Sequence, residues 1–414
     1  MTATTPGELA ASDEPRRGSA LGQWNSAVTS YYVLVGATTL LLVVGLVMVL
    51  SSSSVESLDK GNSPYAVFLD QAKYALVGLP IALVLSRLPV RLYKALAWPA
   101  LLGAVFAQSL VFLGLGCNAV GGNKNWICLP GGVTAQPSEA IKLALALWLA
   151  AVMARKQRLL HQWQHALIPA VPVAGLAIGA VLYGHDLGTS LVLMLLVTGA
   201  LFVAGVPLRL FGVAAVLAAA AAVVLAQSSK NRMARIAVWL DSSSCNPQDD
   251  CYQTLHGGWG LASGGWGGLG LGQSREKWSY LPAAHNDFIY AILGEELGLV
   301  GTVLVLALFG LLAFAMIRVI RRHPDPFVQV ATGAILFWIV GQALINIAVV
   351  IGLAPVTGVP LPLVSAGGSA LIMTLAALGV VVAFARSEPG AAEALAARPS
   401  VLRRSLAVIG RARG

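Results

Sequence analysis

Ten apolar runs, each close to the length of a membrane-spanning helix, set what this chain can fold into. They fall at roughly 31–50, 65–86, 96–115, 137–154, 166–183, 187–206, 208–227, 285–317, 327–351 and 363–385. About 20 apolar residues carry a helix across the hydrocarbon core of a bilayer. The stretch 166–227 is nearly continuous and divides at "YGHDLG" and "GVPLRL". Only 11% of the 414 residues are charged, against about 25% in a soluble protein. The expected fold is therefore an all-α polytopic membrane protein of ten helices. Residues 1–30 are polar and mixed in charge, and the first apolar run is long enough to span, so no cleavable leader is expected.

The positive charges orient this map. The chain carries a formal net charge of +9. Such an excess suits nucleic acid, but in a membrane chain it marks cytoplasmic segments. With a cytoplasmic N-terminus, about two thirds of the 27 basic residues fall inside, among them Arg87, Arg91, Lys94, Arg155, Lys156, Arg158, Arg318, Arg321, Arg322 and Arg386. Both termini are expected in the cytoplasm, and no nucleic-acid partner is expected. One membrane domain, 31–386, lies between a disordered tail, 1–30, and a basic tail, 387–414. "RKQRLLHQWQH" (155–165) is expected along the cytoplasmic interface, with Trp163 as an anchor.

All four cysteines fall in segments this map places outside: Cys117 and Cys128 in one loop, Cys245 and Cys251 in another. Local pairs 117–128 and 245–251 are the simplest connectivity, and disulfides persist outside the cytosol. The longest loop, about 228–284, separates the seventh and eighth helices. Its "KNRMARIAVWL" reads as a short amphipathic helix. Gly265, Gly267 and Gly270 satisfy GxGxxG, but no strand precedes them, so closely packed, flexible backbone is the expectation.

Ionisable residues inside spans are costly and face a cavity or a partner. Glu139 and Lys142 are three apart and share a helix face. An internal ion pair that fixes packing is as good a reading as a functional one. Trp126 just before them is an interface aromatic or a platform for a sugar ring. His185, Asp186 and Thr189 read first as a polar connector at the outer end of two helices. In "LPAAHNDFIYAILGEELGL" (281–299), Asp287 and Glu295 are eight apart, roughly 12 Å along a helix. They cannot share one proton. Asp287 would act alone near the outer surface, with Glu295 and Glu296 as a framework beneath it. A carboxylate at a lipid–water boundary suits a general base, because burial raises its proton affinity. Lys230, Arg232, Arg235, Arg275 and Lys277 could neutralise a phosphate leaving group.

The motifs then become specific. "GLGLGQSREKWSYLPAAHNDFIYAILGEELGLVG" and "NIAVVIGLAPVTGVPLPLVSAGGSALI" closely resemble the two signature regions of the SEDS family (shape, elongation, division and sporulation). "NWICLPGGVTAQPSEAIKLALALW" and "HDLGTSLVL" resemble two further family segments in the right order, so the resemblance covers roughly 30–386. It is strongest to the cell-division branch of high-GC Gram-positive bacteria, with the elongation branch second. The resemblance implies a peptidoglycan glycosyltransferase that polymerises lipid II at the outer face of the plasma membrane. Asp287 matches the catalytic aspartate, and Trp126 matches an important outer-loop tryptophan. Glu139, Lys142, Asp186, Thr189, His285, Glu295 and Ser365 match polar positions around the family's central cavity. It also implies a class B penicillin-binding protein and other division proteins as partners. No organic cofactor is implied; a divalent cation, Mg or Mn, would help to stabilise the departing diphosphate.

Four positions depart from the family pattern: Ala283, Asn286, Ala366 and Thr357 stand where the family often has Glu, Thr, Tyr and, in some division members, Lys. None removes Asp287. The competing readings are a lipid II flippase, motivated by Glu139, Lys142 and Glu295, a scaffold for a transpeptidase, and the elongation-type polymerase.

Overall fold

The computed structural model describes residues 28–116, 124–128, 134–227, 252–278, 280–282 and 284–397, with Met233 and Trp239. Its helices are α1 (Thr29–Asp59), α2 (Ala66–Leu85), α3 (Val90–Leu110, extended by a π turn), α4 (Pro137–Arg155), α5 (Trp163–Leu167), α6 (Ala170–Tyr183), α7 (Leu187–Val203) and α8 (Leu208–Gln227). After the outer segment come α9 (Tyr252–Ser263), α10 (Ile289–Arg322), α11 (Pro326–Val350), α12 (Gly368–Arg386) and α13 (Ala391–Ala397). A two-residue antiparallel pair, β1 (Ile127–Cys128) and β2 (Thr134–Ala135), is the only sheet among the described residues.

Each of the ten apolar runs holds one helix, from 14 to 34 residues in length. Among the described residues eight spans are long and apolar enough to cross a membrane, and Leu187–Val203 is a shorter apolar helix. The helix starts follow local chemistry. Pro137 and Pro326 sit in the first turns of α4 and α11, where a missing N–H costs nothing. Asp325 caps α11 by accepting from Phe327 N at 3.0 Å.

Helix α4 is the axis of the bundle. Sixteen of its 19 residues are buried, as expected of a helix with no solvent-facing side. Helices α3, α7 and α11 pack around it. Helix α2 packs on α12, and α1 on α10.

Four differences from the sequence reading matter for function. Residues 284–288 form turns, so Asp287 precedes α10. The run expected from 363 starts its helix only at Gly368; 353–367 is an irregular connection whose Leu361, Leu363 and Val364 are buried in the bundle. Helix α1 continues through "SSSSVESLD" beyond its apolar part. Finally, the glycine-rich "YQTLHGGWGLAS" is helical. Its small residues allow close approach: a Cβ at Gly257 would stand 2.9 Å from the Phe288 ring.

Cys128 is disulfide-bonded. Cys117, Cys245, Cys251, Lys230, Arg232, Arg235, Ala283, most of "KNRMARIAVWL" and the tails 1–27 and 398–414 lie outside the described residues.

Candidate active site

The turn carrying Asp287 is held by its backbone. Its three successive carbonyls each accept from the α11–α12 side of the bundle. Ala366 N donates to His285 O at 2.9 Å. Ser365 Oγ donates to Asn286 O at 2.6 Å. Asn346 Nδ2 donates to Asp287 O at 2.7 Å, and also to Val359 O at 2.8 Å. The same connection is pinned to α2, where Gln71 donates to Ser365 O at 3.2 Å and accepts from Gly367 N at 3.0 Å. Main-chain atoms of the turn bear this anchoring. The carboxylate lies beside the connection: a Cβ at Gly358 would stand 3.7 Å from Asp287 Oδ2. Gly358 has φ +72°, a conformation that suits glycine.

His285 faces α1. Its Nδ1 is 2.8 Å from Glu56 Oε2, and Glu56 is also 2.6 Å from Lys60 Nζ. Burial pushes the imidazole below its ordinary pKa, against the pull of Glu56. The turn that carries His285 and Asp287 is thus joined to Ser365 through Asn286 O.

The other expected residues form neighbouring groups. Asp186 caps α7: it accepts from Thr189 N and Thr189 Oγ1, both at 2.9 Å, and from Gln136 Nε2 at 2.8 Å. That makes the Asp186–Thr189 pair a helix cap as well as a connector. It reaches the Asp287 side through packing, since a Cβ at Gly188 would stand 2.9 Å from Thr357 O. Glu139 and Lys142 form a buried ion pair at 2.8 Å. Lys142 Nζ lies 5.0 Å from the Trp338 ring centre. Trp338 donates to Gln342, which donates to Pro360 O at 2.8 Å. The intramembrane pair is thus linked to the connection that flanks Asp287.

Glu295 and Glu296 are buried and organise the loop before the turn. Glu295 accepts from Ser274 Oγ and from Arg275 N at 2.9 Å. Glu296 accepts from Ser51 Oγ at 2.6 Å and pairs with Lys277 Nζ at 3.2 Å. This corrects one expectation. Lys277 is 5% exposed, and its ammonium also donates to Gly272 O at 2.6 Å. Its charge is used inside the fold, where Glu296 needs a partner, rather than presented to a phosphate. Trp126 is half-buried beside β1, in a segment tied to the α6–α7 turn by Lys124 N to Gly184 O at 3.0 Å. No described contact brings it to Asp287.

Sequence reasoning missed Asn346, Gln71, Gln136 and Glu56. Three are amides inside or beside apolar helices, and a polar residue in such a run was the available signal.

The family model for the cell cycle proteins FtsW, RodA and SpoVE matches residues 32–389. The chain belongs to this family. It is 39% identical over 398 residues to a protein of Mycobacterium tuberculosis described as a probable peptidoglycan glycosyltransferase FtsW, covering 95% of this chain and 75% of that one. A protein of Legionella pneumophila with the same description is 33% identical over 84% of this chain and 89% of its own. Among solved structures, one chain of a peptidoglycan synthase complex matches with TM-score 0.71 at 28% identity, covering 85% of this chain and 96% of that chain. The rod shape determining protein RodA of Thermus thermophilus matches with TM-score 0.64 at 27% identity, covering 86% and 97%. The polytopic helical fold and the multi-pass membrane character expected from the sequence are those of this family.

Proposed function

We infer that the chain is a peptidoglycan glycosyltransferase acting in cell division, as the descriptions of its relatives indicate. Lipid II is the proposed substrate, polymerised at the outer face of the membrane by a protein that crosses it ten times. The observation that carries the site is the turn whose three carbonyls are fixed between the family's two signature segments. Asp287 is the proposed base. It takes the proton of the acceptor's sugar 4-hydroxyl as that oxygen forms a bond to the donor's anomeric carbon. The bond from that carbon to the diphosphate oxygen breaks, and undecaprenyl diphosphate leaves with the electron pair. Pre-orienting a base in this way contributes through proximity and proton transfer.

The divalent cation, Mg or Mn, would arrive with the substrate's diphosphate. Among the described residues no group of three His, Cys, Asp or Glu could hold a metal ion, and no step above runs through one. A class B penicillin-binding protein is the proposed partner, in keeping with the synthase complex matched above. The remaining division proteins are proposed from the resemblance alone. Glu139, Lys142, Asp186, Thr189, Glu295, Ser365 and His285 are proposed as supporting groups, and Trp126 and Arg235 as substrate contacts.

The test is polymerisation of purified lipid II by the wild-type chain and by Asp287→Asn, each with and without the partner. The expected result is glycan strands from the wild type and a loss of at least about 100-fold in the variant, the scale of a general base. Wild-type-like polymerisation by Asp287→Asn would remove Asp287 from its role. Movement of labelled lipid II across liposomes, unaffected by that variant, would favour a flippase.

A further inference from the structure

The connection from α4 to α6 presents cations that have no carboxylate partner among the described residues, next to exposed apolar side chains. Arg155, Lys156 and Arg158 lie within four residues, and no Asp or Glu occurs between Glu139 and Asp186. Asp325, at the start of the neighbouring α11, is already paired with Lys94 Nζ at 2.6 Å. With Ala154, Gln157 and Leu159, the three cations line an open cavity of about 430 Å³. Lys156 Nζ donates to Ile168 O at 2.6 Å and closes the connection on itself. Leu160 and Ala166 are buried and root it in the bundle, while Leu159, Trp163 and Ile168 are 41%, 58% and 54% exposed.

A soluble protein would bury those three apolar side chains. In a membrane protein, exposed apolar side chains beside exposed cations suit the boundary between acyl chains and phosphates. Tryptophan favours that boundary, and basic pockets beside spanning helices bind anionic headgroups.

We propose that residues 154–168 form a binding site for an anionic phospholipid, with its phosphate in the cavity at Arg155 and Arg158. The acyl chains run along Leu159, Trp163 and Ile168. The apolar rim selects a lipid over a soluble phosphate. The site is separate from Asp287, and its place in the cytoplasmic leaflet rests on the orientation proposed above.

The experiment uses the full chain in maltoside micelles containing either phosphatidylglycerol or phosphatidylcholine. Retained lipid is counted by native mass spectrometry, without lipid II. Phosphatidylglycerol is expected to be retained over phosphatidylcholine. Removing each cation should weaken retention about fivefold, so Arg158→Gln loses about fivefold and the double variant with Arg155→Gln about 25-fold. Arg158→Lys should keep the lipid, and so should Arg91→Gln, an exposed cation on α3 outside the cavity. Monodisperse elution of Arg158→Gln and Arg158→Lys establishes folding should the double variant fail to fold. Equal retention of the two lipids, an equal loss in Arg91→Gln, or displacement by inorganic phosphate would overturn the proposal.

Discussion

Asn346 is the residue whose removal should show how the reacting turn is held. One amide donates to two carbonyls, Asp287 O and Val359 O, and the side chain is 1% exposed. Asn346→Ala leaves both acceptors without that donor, at a cost of about 1–3 kcal/mol for each buried group. The expected outcome is a lower unfolding midpoint and a polymerisation rate reduced further than stability alone explains, measured on folded protein below the transition. His285 gives a pH test with a definite sign. Burial holds its folded-state pKa below the ordinary 6.5, so the unfolded chain takes up the proton first. Its contribution is constant above about pH 6.5, and stability falls as pH drops through that value. The loss of thermal stability between pH 7.5 and 5.5 should be smaller in His285→Gln than in the wild type. At this scale the charged residues were legible. Asp287 and the Glu295–Glu296 framework separate by spacing alone. Asn346 and Gln71 were not, because an amide in an apolar helix carries no charge pattern to read, and its value comes from partners far away in sequence.

At the scale of elements, the glycine-rich outer segment shows why periodicity misled. Helix α10 breaks at Gly298, which has φ +66°. The segment 264–270 lies against that break. Leu269 N and Gly270 N donate to Glu295 O and Glu296 O at 2.9 and 3.0 Å, and Leu299 N donates to Gly265 O at 2.9 Å. Backbone meets backbone, so side chains are excluded at particular positions. A Cβ at Gly268 would collide with the Glu296 carbonyl, and Gly268 has φ +79°; at Gly267 nothing stands within 4 Å. Gly268→Ala should therefore lower the unfolding midpoint, with backbone strain alone costing about 1–3 kcal/mol. Gly267→Ala should leave it unchanged. Equal midpoints for the two variants would refute this packing account. The crowded glycines are Gly264 and Gly268, not the Gly265, Gly267 and Gly270 of the sequence reading, while the helix α9 was hidden because glycine lowers helix propensity and tertiary packing overrides that preference.

The whole molecule raises a length problem that its charges resolve. Helix α1 has 31 residues, about 46 Å at 1.5 Å per residue, and α10 runs from its break at Gly298 to Arg322, about 36 Å. A hydrocarbon core is about 30 Å thick, so both helices overrun it. Arg321 and Arg322 mark one boundary, and roughly 20 residues back along α10 the core ends near Thr302. The excess then lies entirely at the Asp287 end. On α1 the same excess is "SSSSVESLD", and Ser51 meets Glu296 there. Two polar helix ends, locked together by a buried carboxylate, set the Asp287 turn beyond the apolar lengths of both helices. A growing hydrophilic strand needs that placement, whereas a base within the core would have to dehydrate its product. The outward-facing orientation proposed for Asp287 can be measured. Ser63→Cys lies in the exposed turn between α1 and α2, and His161→Cys in the exposed connection after α4. In intact cells a membrane-impermeant maleimide should label Ser63→Cys and not His161→Cys. Permeabilisation should add labelling at 161, and the unsubstituted chain supplies the background from its native cysteines. The reverse pattern would place Asp287 on the cytoplasmic side, out of reach of a strand growing outside, and the polymerase reading would fall with it.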